Sequence, residues 1–250
     1  MKQISLRKKL IFAFLMILLI PALLIGYTSF KSTKNQILEE QQASAKESVR
    51  MLNSNITNTI APKVHDIGYF SKKINQSYLQ EDKKIELKKL FQEYINTHPE
   101  VELLYIGTAD GQIIDEPVHD YASDYDPRKR PWYVEAIENK GQVSITSPYI
   151  SKSTNNVVVT VMQALPDSSG VMALDVNISV LSALTDETRI GETGFASLLD
   201  RNQLYIAQKD KESGSQATEE YMAKVYEQQE GMITEDDRQL RFETNELTGW

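Results

Sequence analysis

Cysteine is absent from the 250 residues. That excludes disulfides, thiol catalysis and cysteine-ligated metals, and a chain of this length can bury a core without covalent staples. Histidine is scarce: His65, His98 and His119 are scattered at no metal-ligand spacing. GxSxG, P-loop and HExxH patterns are missing, and the lone Ser, His and Asp residues form no credible triad. No metal, no other cofactor and no enzymatic activity are therefore expected. The first nine residues lack carboxylates but hold Lys2, Arg7, Lys8 and Lys9. With a net charge of -8 overall, the rest of the chain is more acidic still, which argues against nucleic acid as a partner. The acidic residues Asp115, Glu116, Asp120, Asp124 and Asp126 lack the glycine and spacing of an EF-hand and read as a solvated loop.

What is present is globular in bulk, at 41% hydrophobic and 25% charged residues. Residues 10–27 read LIFAFLMILLIPALLIGY, without a charge. A run of about 18 apolar residues is near the lower limit for crossing a bilayer. The cations precede it, so residues 1–9 are expected in the cytoplasm and everything after the span outside the cell. Pro21 is tolerated in a membrane helix. The run is long for a signal peptide, and no A-x-A site follows it, so a retained anchor is expected.

Residues 28–76 are polar, with Ile37, Met51, Leu52, Ile56 and Ile60 at spacings compatible with a helix. They predict a long stalk helix, kinked near Pro62, with a disordered stalk as the bland alternative. Residues 81–95 give a clear amphipathic helix through Leu87, Leu90, Phe91, Tyr94 and Ile95, ended by His98-Pro99. The period then changes. Strands are predicted at Val101–Thr108, 113–114, 143–147, 156–165 and 170–176, with a polar loop at 116–130, a short helix at 131–139 and another at Ile178–Glu187. A smaller set follows, with strands at 194–199, 203–207, 231–234, 239–243 and 247–250 and a helix at 219–228. The fold class is α+β. Because the chain stops at Trp250 in what reads as a strand, a second membrane helix and an output domain are expected beyond it.

The segment most informative about chemistry is Tyr125-Asp126-Pro127-Arg128-Lys129-Arg130-Pro131-Trp132-Tyr133. It packs cations and aromatics into the entry of a short helix. Arg130 offers a bidentate fork for a carboxylate, Trp132 an indole N–H, and Tyr125, Tyr133 and Tyr149 hydroxyls. A helix start also presents free backbone N–H groups to an anion. Asp175 lies in the apolar strand VMALDV, where its alternation with Val171, Ala173 and Val176 puts it on or near a buried face. A lone carboxylate is costly there, and a bound ammonium would satisfy it. The residues alone leave three readings open: a site for a zwitterionic α-amino acid, a solvated Arg-rich loop over core aromatics, and a structural ion pair of Asp175 with Arg130 or Lys152.

The segment DPRKRPWY, the Ser147–Tyr149 SPY, the strand NNVVVTVMQAL and GVMALDV with Asp175 resemble a double Cache (dCache) sensor domain. With the apolar anchor and the closing LTGW, the whole resembles the N-terminal part of methyl-accepting chemotaxis receptors of Gram-positive bacilli. The resemblance implies a long helix carrying two PAS-like antiparallel-sheet modules, a membrane-distal ligand-binding one at 77–187 and a membrane-proximal one at 188–250. It implies a small ligand, an amino acid, held by Arg130 and Trp132 with Tyr125 at its carboxylate and by Tyr149 and Asp175 at its amino group. Tyr133 completes the family's Tyr, Arg, Trp, Tyr spacing. A homodimer through the stalk helices is implied too. The same sensor feeding a histidine kinase or a cyclic-dinucleotide enzyme is one alternative, and an anchored extracellular enzyme is another.

Overall fold

The computed structural model describes residues 6–188, 190, 194–235 and 238–250. The chain forms two compact units, Met1–Glu47 and Ser48–Trp250. Helix α1 spans Leu6–Lys73. In the first unit it is apolar and bare: Leu10, Phe12, Phe14, Ile17 and Leu23 are all exposed. An 18-residue window there has a mean hydropathy of 2.7, so the helix is long and apolar enough to cross a membrane. The helix runs unbroken through Pro21 and Pro62, and no disordered stalk is found. Residues 1–5, part of the segment expected in the cytoplasm, lie outside the described residues.

In the second unit α1 becomes a core helix. Leu52, Ile56, Ile60, Ile67 and Phe70 recur at helical spacing and are buried, as is Ile74 just past the helix end. Ile37 and Met51, expected on the same stripe, are exposed. The helix ends at Lys73, short of residue 76. There Asn75 caps a short 3-10 helix, Gln76–Leu79, by accepting the Ser77 N–H. Helix α2, Glu81–Thr97, buries Leu87 and Phe91.

A six-stranded antiparallel sheet follows, built from β1 (Val101–Thr108), β2 (Ile113–Glu116), β3 (Ser144–Ile145), β4 (Tyr149–Ile150), β5 (Val157–Ala164) and β6 (Gly170–Asn177). The order is β2-β1-β6-β5-β3, with β4 also on β5. The central strands β1, β6 and β5 are covered on both faces, which explains their nearly continuous apolar composition. Period two sorts their side chains. Leu104, Ile106, Val159, Val161, Met172, Leu174 and Val176 join α1 and α2 in the main core. Leu103, Tyr105, Met162, Ala164, Val171 and Ala173 face α3 (Pro131–Glu138), which supplies Trp132, Tyr133 and Ala136. Asp175 follows Val171 and Ala173 in this alternation, whereas Val176 belongs to the other layer.

The approach of α3 depends on Gly107. A Cβ there would come within 2.5 Å of the Trp132 ring, 3.1 Å of Pro127 and 3.2 Å of Tyr133. Gly107→Ala is expected to cost about 1–3 kcal/mol by overpacking, read as a lower midpoint in thermal or urea unfolding. An unchanged midpoint would mean that α3 is free to retreat.

Helix α4 (Ile178–Glu187) is capped by Asn177, whose side chain accepts the Ser179 N–H. Beyond it, residues 191–193, where the smaller set was expected to begin, lie outside the described residues. Strands β7 (Ser197–Leu199) and β8 (Tyr205–Gln208) form one hairpin, and β9 (Glu230–Glu235) and β10 (Arg238–Glu243) another, with the short helix α5 (Met222–Tyr226) between them. Leu198, Ile206, Ala207 and Trp250 belong to the main core. The expected helix at 219–228 shrinks to the five residues of α5. The strand expected at 247–250 is instead a turn. Asn245 accepts the N–H groups of Leu247 and Thr248, and Gly249 takes a positive φ of 73°, so the chain folds back on itself.

Candidate functional site

The loop between β2 and α3 sorts its three cations. Asp126 caps a short 3-10 helix, Pro127–Lys129, by accepting the Arg128 N–H at 3.0 Å. The same carboxylate takes the Arg128 guanidinium at 2.9 Å and 3.0 Å. Lys129 is exposed. Arg130 is the N-cap of α3 and turns inward. Its contacts are weak, the Ile150 carbonyl at 3.5 Å and the Tyr149 ring at 5.8 Å. Among the described residues no carboxylate pairs with it.

Arg130 lines a cavity with Tyr105, Ile113, Tyr125, Trp132, Tyr149, Ser151, Lys152, Ser153 and Asp175. Its enclosed free volume is about 10 Å³. That is room for about one water, so a larger ligand enters only if the walls move apart. Five of the six residues singled out in the sequence therefore meet in one cavity. Tyr133 is not among its lining residues; its ring packs on Gly107 and edge-on to Trp132, with centroids 5.5 Å apart.

Asp175 is 1% exposed and sits in the central strand β6. Tyr105 donates to its Oδ1 at 2.8 Å, Thr160 to the same oxygen at 2.6 Å, and Ser151 to Oδ2 at 3.4 Å. Burial pushes its carboxyl up to about 6, and the hydroxyls of Thr160 and Tyr105 hold it lower than burial alone would. No cation pairs with it among the described residues, so the structural ion pair with Arg130 or Lys152 is not formed. Two opposite charges thus line one cavity without neutralising each other.

Hydroxyl directions follow from proton counting. Thr160 spends its single proton on Asp175, so Tyr149 is the donor in its 2.7 Å bond to Thr160 Oγ1. The Tyr149 oxygen keeps lone pairs to accept a further proton. Tyr125, pushed up to about 12 mainly by burial, stays a neutral donor. Its ring lies 4.4 Å from that of Tyr121, whose hydroxyl donates to buried Asp115 at 2.9 Å.

Tyr105, Thr160 and Ser151 were not singled out in the sequence. A signal existed for Thr160: it is the one hydroxyl within VVVTVM, and in the sheet it stands directly opposite Asp175. Tyr105 lies on β1 one pleat away, opposite Ala173. Among the described residues no cluster of side chains suits a metal ion.

The dCache_1 Cache domain family matches residues 29–250. The chain is 32% identical over its whole length to the methyl-accepting chemotaxis protein McpB of Bacillus subtilis, and 34% identical over its whole length to a probable methyl-accepting chemotaxis protein of Bacillus thuringiensis. It spans 38% and 39% of those two proteins. Among solved structures, the ligand-binding domain of the Pseudomonas fluorescens chemoreceptor CtaA in complex with L-isoleucine superposes with a TM-score of 0.64 at 21% identity, covering 83% of this chain and 86% of that one. The ligand-binding domain of the Pseudomonas aeruginosa amino acid chemoreceptor PctB in complex with L-Arg gives 0.58 at 23%, covering 67% and 65%. At those identities the likeness establishes the fold. The family match runs over nearly the whole chain, from the apolar segment's end to Trp250, and the protein belongs to the Cache domain family.

Proposed function

We propose that this chain is the extracytoplasmic sensing region of a transmembrane chemoreceptor and that its cavity binds a small α-amino acid. The observation that carries the reading is the pair of unneutralised charges, Arg130 and Asp175, on one small cavity. A zwitterion supplies the missing partner at each end. Its carboxylate faces Arg130, the Trp132 indole N–H, the Tyr125 hydroxyl and the start of α3. Its ammonium faces the Asp175 carboxylate and the lone pairs of Tyr149. Tyr133 backs Trp132 from the far side. The relatives named as chemotaxis proteins, and the solved neighbours described in complex with amino acids, support the same reading.

In this reading residues 77–187 form the ligand-binding module and 188–250 belong to a second, membrane-proximal one. Residues 10–27 cross the membrane with 1–9 in the cytoplasm, in keeping with the flanking cations. The chain pairs with a second copy, and it binds rather than transforms its ligand. Signalling then rests on differential affinity between two conformers of the sensor, the one way a ligand biases an equilibrium.

The test is a titration of the whole chain, in detergent micelles, with the common amino acids, followed by thermal unfolding and calorimetry. A binder at a hundred times its Kd should add about 2.7 kcal/mol of stability. The bound amino acid should be recovered unchanged after incubation. A folded chain whose midpoint no amino acid moves would overturn the proposal.

A further inference from the structure

Lys152 lines the same cavity as Arg130 and Asp175. Three other carboxylates, on β1, β2 and the loop before α3, have partners of their own. Asp115 accepts from Tyr121 and from the His119 backbone N–H. Glu102 accepts from Thr154 and Asn156, and Asp126 holds Arg128. Among the described residues none pairs with Lys152. The cavity lining therefore carries two cations against one carboxylate.

The α-carboxylate and α-ammonium of a bound amino acid would use Arg130 and Asp175, leaving one positive charge over. From this, and resting on the amino-acid reading above, we propose that Lys152 makes the site selective for amino acids with a short anionic side chain, aspartate first. The chain around Lys152 is held in place: the Ser151 N–H donates to Asn156 O at 2.9 Å, and the Asn155 N–H to Ser151 O at 3.1 Å. Glu102 clasps the same loop through Thr154 and Asn156. Ser151 and Ser153 line the cavity on either side of Lys152 in the chain, and their hydroxyls are engaged with Asp175 and Tyr121. Two cations repel lysine and arginine.

Aspartate and asparagine have the same shape, so their affinity ratio isolates the side-chain charge. Calorimetric titration of the whole chain in micelles should give aspartate an advantage of about tenfold, the scale of one charge-assisted contact. Lys152 is exposed, so the advantage should shrink as salt rises from about 0.05 to about 0.5 M. In Lys152→Gln the ratio should fall towards unity, and Lys152→Arg should restore most of it. A wild-type chain that binds asparagine or alanine as tightly as aspartate would overturn the role of Lys152 while leaving the amino-acid site standing. An aspartate preference that persists undiminished in Lys152→Gln would do the same. Absence of binding by every amino acid would instead overturn the site itself, and this selectivity with it.

Discussion

Arg130→Ala should weaken amino-acid binding about a hundredfold or more while leaving the fold intact. Truncating one member of a desolvated charge pair costs roughly 2–5 kcal/mol, because the ligand carboxylate is then buried without a counterion. The loss to the folded chain itself is small. Among the described residues Arg130 has no ion pair to lose, and its contacts are a 3.5 Å one to Ile150 O and a distant Tyr149 ring, so less than about 1 kcal/mol of stability is at stake. Arg130→Lys should recover part of the affinity and not all of it, since an ammonium keeps the charge but not the planar fork. Calorimetry for Kd and thermal unfolding for stability separate the two effects. Unaltered affinity in Arg130→Ala would put the ligand elsewhere.

Asp175→Asn should abolish binding and make the protein more stable. The sign follows from the direction of the shift. Burial raises the Asp175 carboxyl from 3.8 to about 6. Between those values the folded chain holds a proton that the unfolded chain has released, so stability declines as pH rises through that window. Above it the ionised carboxylate carries a constant penalty of about 2–3 kcal/mol. Asparagine keeps an oxygen for the Tyr105 and Thr160 hydroxyls and offers an N–H group towards Ser151, without the charge. The mutant midpoint should therefore exceed the wild type's at pH 7.5 and converge with it near pH 4. Binding runs the other way. Below about pH 6 the wild-type carboxyl is neutral, the ligand ammonium loses its partner, and affinity should fall by about tenfold per pH unit. A mutant no more stable than wild type at pH 7.5 would mean that water or another cation already compensates the charge.

The strands that carry Asp175 and Tyr105 were legible because burial on both faces demands unbroken apolar runs, and Val101–Thr108 begins and ends where the sequence predicts. The helix Ile178–Glu187 also begins and ends where the sequence predicts, and in the structure Asn177 caps it. The misreading at 247–250 has a local cause. LTGW looks like a strand in isolation, and only the Asn245 side chain, two residues earlier, turns the backbone. In the site, the sequence offers Trp132 and Tyr133 together, yet successive residues on a helix point about 100° apart, so one small cavity admits one of them. The hydroxyls around Asp175 are not legible in the sequence because they come from β1, β5 and the loop after β4, and strand register brings them to one carboxylate.

The buried stripe of α1 has a consequence for assembly. Leu52, Ile56 and Ile60, the very side chains that suggest a self-associating rod, are already spent on the chain's own interior. A twin subunit cannot claim them without unfolding its mate. Any pairing of copies along this stretch has to be written in a second alphabet on the opposite side of the cylinder, where Met51 and Tyr69 still face outwards.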